Sequence, residues 1–174
     1  FGIIALTSAS AFPYSTTDSV IQEAKSYLHS MQQDDGGFGN LGTTQWVAMA
    51  IYALGEDESS WNKNGNTILD YLEANAGSLT TVYDYSKAIL AAVSLGADPR
   101  NFDGINLVEQ LKSFYDGTQF GDSTLVNDDF WAVIALASVG EESSTELQNA
   151  KSFIINNQNS DGSWSWAVGS AGDP

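Results

Sequence analysis

Cysteine is absent from the 174 residues, so the chain holds no disulfide, no thiolate metal site and no cysteine nucleophile. Stability has to come from packing. Basic residues are scarce: six Lys plus Arg against 22 Asp plus Glu leave a formal charge of −16, a surface that repels phosphate and anionic lipid. Nucleic acid is therefore a poor candidate partner. The carboxylate excess also repels itself in the compact state, which salt screens, and a saline or extracellular setting fits it. Histidine occurs once, at His29 in "SYLHSMQ", where it reads as a surface residue rather than a ligand. No Ser-His-Asp set can be drawn around it, and no Gly-rich loop with its Lys is present to cradle phosphate. No run approaches the roughly 18 apolar residues that a membrane span needs. What remains is 43% hydrophobic and 11% aromatic, the make-up of a globular protein with a core.

The sequence repeats itself. Ala24-x-x-Tyr27-Leu28-x-x-x-Gln32-x-x-x-Gly36-x-Phe38 matches Ala150-x-x-Phe153-Ile154-x-x-x-Gln158-x-x-x-Gly162-x-Trp164 position for position. Gly36 and Gly162 lie 126 residues apart, three units of 42, a period that points to stacked helical pairs. Between them stand three apolar segments that end in glycine: "QWVAMAIYALG" at Gly55, "YSKAILAAVSLG" at Gly96 and "FWAVIALASVG" at Gly140. Each is apolar on nearly every side, as an inner helix enclosed by neighbours is, and each stops where a left-handed cap is free to form. More amphipathic segments precede them and read as outer helices: "SVIQEAKSYLHSMQ", "NTILDYLEANA", "INLVEQLKSFYD" and "ELQNAKSFIINNQ".

The N-terminal "FGIIALTSAS" lies over "WAVIALASVG" and reads as the inner helix of a preceding pair. Ala9-Ser10-Ala11 also fits the end of a signal peptide. "WAVGSAGDP" falls where a further inner helix is expected. The expected architecture is all-α, a partial α/α barrel of about four helical hairpins taken from a longer array. It has a partial inner helix at 1–10 and repeats at about 18–55, 64–96, 104–140 and 145–174. No alternating strand signal is apparent. Apolar faces at the repeat ends make self-association an expectation.

The repeated motif has a structural explanation. A Gln near a helix end can bond its free carbonyls or the N–H groups that open the next helix. Asp34, Asp35 and Asp161 are placed to cap the following helix, Gly36 and Gly162 let the chain turn, and Phe38 or Trp164 lies over the turn. The motif is then a staple between helices. A calcium site in "DDGGFGN" is the alternative, although the spacing lacks EF-hand order.

These residues resemble the QW repeat of squalene and oxidosqualene cyclases, found in weaker form in the β subunits of protein prenyltransferases. Two good copies and two eroded ones, "LDYLEANAG" and "LKSFYDGTQFG", carry the similarity over nearly all of the chain. The resemblance implies an α/α toroid. "LVNDDFWAVIALASVGE" and "NQNSDGSWSWAVG" further resemble prenyltransferase/squalene-oxidase repeats of secreted or cell-surface archaeal proteins.

Two functions follow from it. Prenyltransferases hold zinc through Asp, Cys and His, and that set cannot be assembled from these residues. Terpene cyclases protonate their substrate from an Asp-x-Asp-Asp motif. The nearest stretch, Val126-Asn127-Asp128-Asp129, lacks the first acid, and Asn127 or Asp128 serves equally as a helix cap. The inner-helix N-termini of a toroid converge on one space, which here brings together Gln45, Trp46, Asp84, Tyr85, Asn127, Asp128, Asp129 and Trp131 as a ligand rim. Ordinary caps over core aromatics would use the same residues. The preferred expectation is a non-catalytic module that needs no cofactor or metal and offers a concave surface to a small apolar ligand, a glycan or a protein. The alternative is an isoprenoid enzyme whose catalytic residues lie largely elsewhere.

Overall fold

The structure, a computed structural model, describes residues 15–172. The expected helix at 1–10 and the signal-peptide alternative lie outside them. The chain divides after Gln32 into two compact units. The first contains helix α1 (Ser19–Met31), which ends at the buried Gln32. The second contains α2 (Leu41–Ala53), a two-stranded hairpin of β1 (Asn62–Lys63) and β2 (Asn66–Thr67), α3 (Ile68–Asn75), α4 (Val82–Ser94), α5 (Leu107–Lys112), α6 (Asn127–Ser138) and α7 (Thr145–Asn156). The chain is mostly helical, as the periodicity implies.

The inner segments become α2, α4 and α6, and they stand side by side with α4 between the other two. Small residues allow the approach: Ala48, Ala88, Ala91, Ala92, Ala132 and Ala135 are all buried. Against this row pack α3 on α2, α5 on α4 and α7 on α6, so the outer helix packed on each inner helix is the one that follows it in the chain. Ile68, Leu72, Leu107, Leu111, Leu147 and Ile154 supply the buried sides of those outer helices. Capping is explicit in the sequence. Thr67 with Asp70 and Thr81 with Asp84 form capping boxes, while Asn40, Asn106 and Ser144 accept a first-turn N–H at α2, α5 and α7. Outer helix α5 stops at Lys112, short of the expected Asp116, because the chain turns at Asp116-Gly117.

Three expectations are corrected. The hairpin is a departure from purely helical structure, and its signal was Asn64-Gly65, both at positive φ (54° and 92°), as a tight hairpin turn demands. The inner helices are not enclosed all round, since Trp46, Tyr52 and Ile134 are about half exposed. Residues 165–172 form no helix. The Leu125–Ala167 bridge joins them to the strand-like approach to α6, where Val126 N–H donates to the Trp166 carbonyl at 3.0 Å.

The repeated motif recurs in atomic detail. In one copy Gln33 N–H donates to the Gly37 carbonyl and Gly36 N–H to Gln33; in the other Asn159 N–H donates to Ser163 and Gly162 N–H to Asn159, all at 2.9 Å. Asp35 accepts from Gly37 N–H and Asp161 from Ser163 N–H, both at 3.0 Å. The acids thus tie the turn to itself rather than cap the next helix, whose cap in the first copy is Asn40. Gly36 and Gly162 share φ values of 89° and 88°, a left-handed geometry open to glycine at little cost. Asp116-Gly117 repeats the turn, with Thr118 N–H donating to Asp116 at 2.7 Å.

The staple is made by the indole. Trp164 Nε1 donates to the Ile154 carbonyl at 2.8 Å, adding a second donor to an acceptor in the last turn of α7 that also takes the Asn157 N–H at 3.2 Å, while Gln158 Nε2 donates to Gly162 within the turn. Trp164→Phe should therefore cost about 1 kcal/mol in urea denaturation, one hydrogen bond to a helix end, while its edge contact with Phe130 survives.

Candidate functional site

Three aromatic rings gather on the exposed side of the inner-helix row. Trp46 of α2 meets Trp131 of α6 edge to face with ring centres 5.6 Å apart, and Tyr83 of α4 meets Trp131 at 5.2 Å. Lys87, one turn after Tyr83 on α4, places its Nζ 4.2 Å from the centre of the Tyr83 ring. The lysine is 5% exposed, and among the described residues no carboxylate pairs with it. Burial lowers its pKa from the usual lysine range, and the charge of Asp84 opposes that shift.

Repetition builds this surface. Trp46, Lys87 and Trp131 each stand nine residues before the glycine that follows their helix, Gly55, Gly96 and Gly140. Three residues further on come Met49, Leu90 and Ile134, one helical step along the same face. Equivalent places in successive copies thus point the same way and meet.

Of the eight rim residues expected from the sequence, Trp46 and Trp131 come together. Gln45 is buried and lines a small cavity with Leu41, Leu72, Leu79 and Phe102, its Nε2 without a hydrogen-bond partner among the described residues. Asp84 is engaged in the α4 capping box. Tyr85 turns to Phe114, ring centres 5.8 Å apart. Asn127 N–H joins Val126 N–H on the Trp166 carbonyl. Asp128 accepts from Asp122 N–H at 3.2 Å, and burial raises its pKa. Neither Asn127 nor Asp128 caps α6 through its side chain.

Asp129 is the exceptional acid. It is wholly buried, and its Oδ1 accepts the Phe120 N–H at 2.9 Å while its Oδ2 has no hydrogen-bond partner among the described residues. Burial lifts its pKa to about 7 against the pull of that hydrogen bond, and the charges of Asp128 and Asp116 add to the rise. Thr44 holds the equivalent place in the first copy, where its Oγ1 accepts the Phe38 N–H at 2.8 Å. Both side chains fasten the aromatic of the turn to an inner helix. Asp129 thus has a structural role that Thr44 fills without an acid.

Tyr83 and Lys87 were missed as site residues by sequence reasoning. The signal for Lys87 was available, because aligning the helices on their terminal glycines puts it level with the two tryptophans. Tyr83 had none, since its place lies one turn before the aligned row.

No family model matches the chain, and no curated protein matches it.

Proposed function

We propose that this chain is a non-catalytic binding module, a partial α/α toroid of QW-type repeats belonging to a secreted or cell-surface protein. Its concave side is the row of α2, α4 and α6. The ligand it suits best is a small apolar molecule lying across Trp46, Tyr83 and Trp131. The observation that carries this is the part-exposed aromatic trio drawn from three neighbouring helices, because a folded chain rarely leaves such surface to water without use. The rings stand edge to face and are continued by Met49, Leu90 and Ile134, which favours an apolar body over the flat faces of a glycan.

The isoprenoid-enzyme alternative has less support. It needs an acid that meets substrate, and Asp129 is sealed in the core on a backbone N–H.

Titration with dodecanol, read by intrinsic tryptophan fluorescence, should show saturable binding. Trp46→Ala and Trp131→Ala should each weaken it about ten-fold, the usual scale for losing a buried aromatic contact. Binding unchanged in both variants would show that the ligand surface lies elsewhere.

A further inference from the structure

Lys87 and the first turn of α2 meet at the edge of the aromatic trio. A methyl group added at Gly42 would lie 3.2 Å from Lys87 Nζ, so the ammonium sits directly against the backbone of that turn and glycine leaves it room. The N–H of Gly42 has no hydrogen-bond partner among the described residues, whereas the next two are engaged: Thr43 N–H by the Asn40 side chain and Thr44 N–H by the Asn40 carbonyl. Two sources of positive potential therefore lie side by side, the N-terminal turn of a 13-residue helix and the ammonium of a lysine that as a residue is 5% exposed, with no anion between them among the described residues. In return for the desolvation of its charge the lysine has the Tyr83 ring and the nearby charge of Asp84, and no anion paired directly with it among the described residues.

We propose that Gly42 N–H and Lys87 Nζ form an anion site for the carboxylate of an amphiphile whose apolar tail lies over Trp46, Tyr83 and Trp131. Gly42 and Trp46 are four residues apart on α2 and so share a face, which puts the head site and the aromatic surface within one ligand's reach. Charge selects the head. One ammonium and one helix end match a single negative charge, and Asp84 nearby, in a chain of net charge −16, opposes a di- or triphosphate. A cationic ligand is repelled by Lys87 itself. The assignment rests on the proposed binding role of the aromatic face and adds to it the chemistry of the ligand.

The test compares dodecanoate, below its micellar concentration, with dodecanol and with dodecyl phosphate on the full chain, by calorimetry and tryptophan fluorescence. Dodecanoate should bind about ten-fold or more tightly than dodecanol, the effect of one charge-assisted hydrogen bond, and more tightly than the doubly charged phosphate. Lys87→Met, which keeps the length of the side chain, should erase the advantage over dodecanol, read as the ratio of the two affinities measured in the same variant. Gly42→Ala should weaken dodecanoate in the same selective way, with folding of both variants checked by circular dichroism. Equal affinity for dodecanoate and dodecanol in the unaltered protein overturns the anion site and leaves the apolar surface standing. So does an undiminished preference in a folded variant at either position. Failure of both ligands to bind overturns the site and the surface together.

Discussion

Replacing Asp129 by asparagine is expected to stabilise the fold by about 2–4 kcal/mol at pH 8 and to change it little at pH 4. The carboxyl has a pKa of 3.8 when unperturbed and about 7 in the folded chain. Below the lower value both states are protonated, and burial carries no charge penalty. Between the two values the native state keeps a proton that the unfolded state has lost, so stability falls as pH rises. Above about 7 the penalty is complete, and three pH units correspond to about 4 kcal/mol. Asparagine keeps an oxygen for the Phe120 N–H and never ionises. Urea denaturation of both proteins at pH 4, 6 and 8 measures the effect. Parallel stability profiles would mean that the buried acid does not ionise unfavourably in the fold. Asp116, Asp122 and Asp161 act in the opposite sense. Their pKa values are lowered by hydrogen bonds in turns, so their contribution is present above the unfolded value and lost as pH falls.

The second large effect separates two glycines that the sequence makes look alike. Gly36→Ala should cost about 4 kcal/mol, whereas Gly162→Ala should cost about 1 kcal/mol, although the two share one φ and one hydrogen-bonding pattern. A methyl group at Gly162 meets open space, so only left-handed strain is felt. At Gly36 the same methyl would overlap the carbonyl oxygen of Thr67, on the hairpin. That oxygen belongs to backbone, anchored by the Thr67–Asp70 capping box and by Asn66 Nδ2 donating to the Asp34 carbonyl at 2.7 Å. It cannot swing aside as a side chain would. Thermal or urea denaturation of the two variants settles the comparison, and equal losses would place the whole effect in φ.

The same contrast shows where sequence reading stops. Period and glycine spacing gave the helices and their order, because helical apolar faces and left-handed caps follow from local chemistry. The turn at the glycine was also legible, but its acids read as caps of the following helix, whereas Asp35 and Asp161 bond N–H groups of the turn itself. Which atom staples the corner was not. Gln158 and Trp164 both carry donors, and only the packed geometry sends the indole to Ile154 and the amide to Gly162. The site was half visible for a related reason. Polar residues at helix starts serve as caps or as ligands, and Asp84, Asn127 and Asp128 were drawn into turns and caps by near neighbours. Lys87 was hidden because a lysine inside an apolar helix reads as a solvent-facing interruption. The fold instead leaves it 5% exposed under a tyrosine ring.

Trp46, Lys87 and Trp131 occupy one socket copied three times. The buried alanines that set the spacing of the helices are separate positions from these three. Chemistry at a socket can therefore be exchanged without disturbing the frame that aims it. Under the proposed binding role, a repeated scaffold of this kind offers evolution a keyboard: new molecules would be recognised by changing one key, and descendants with the same scaffold would need share no ligand.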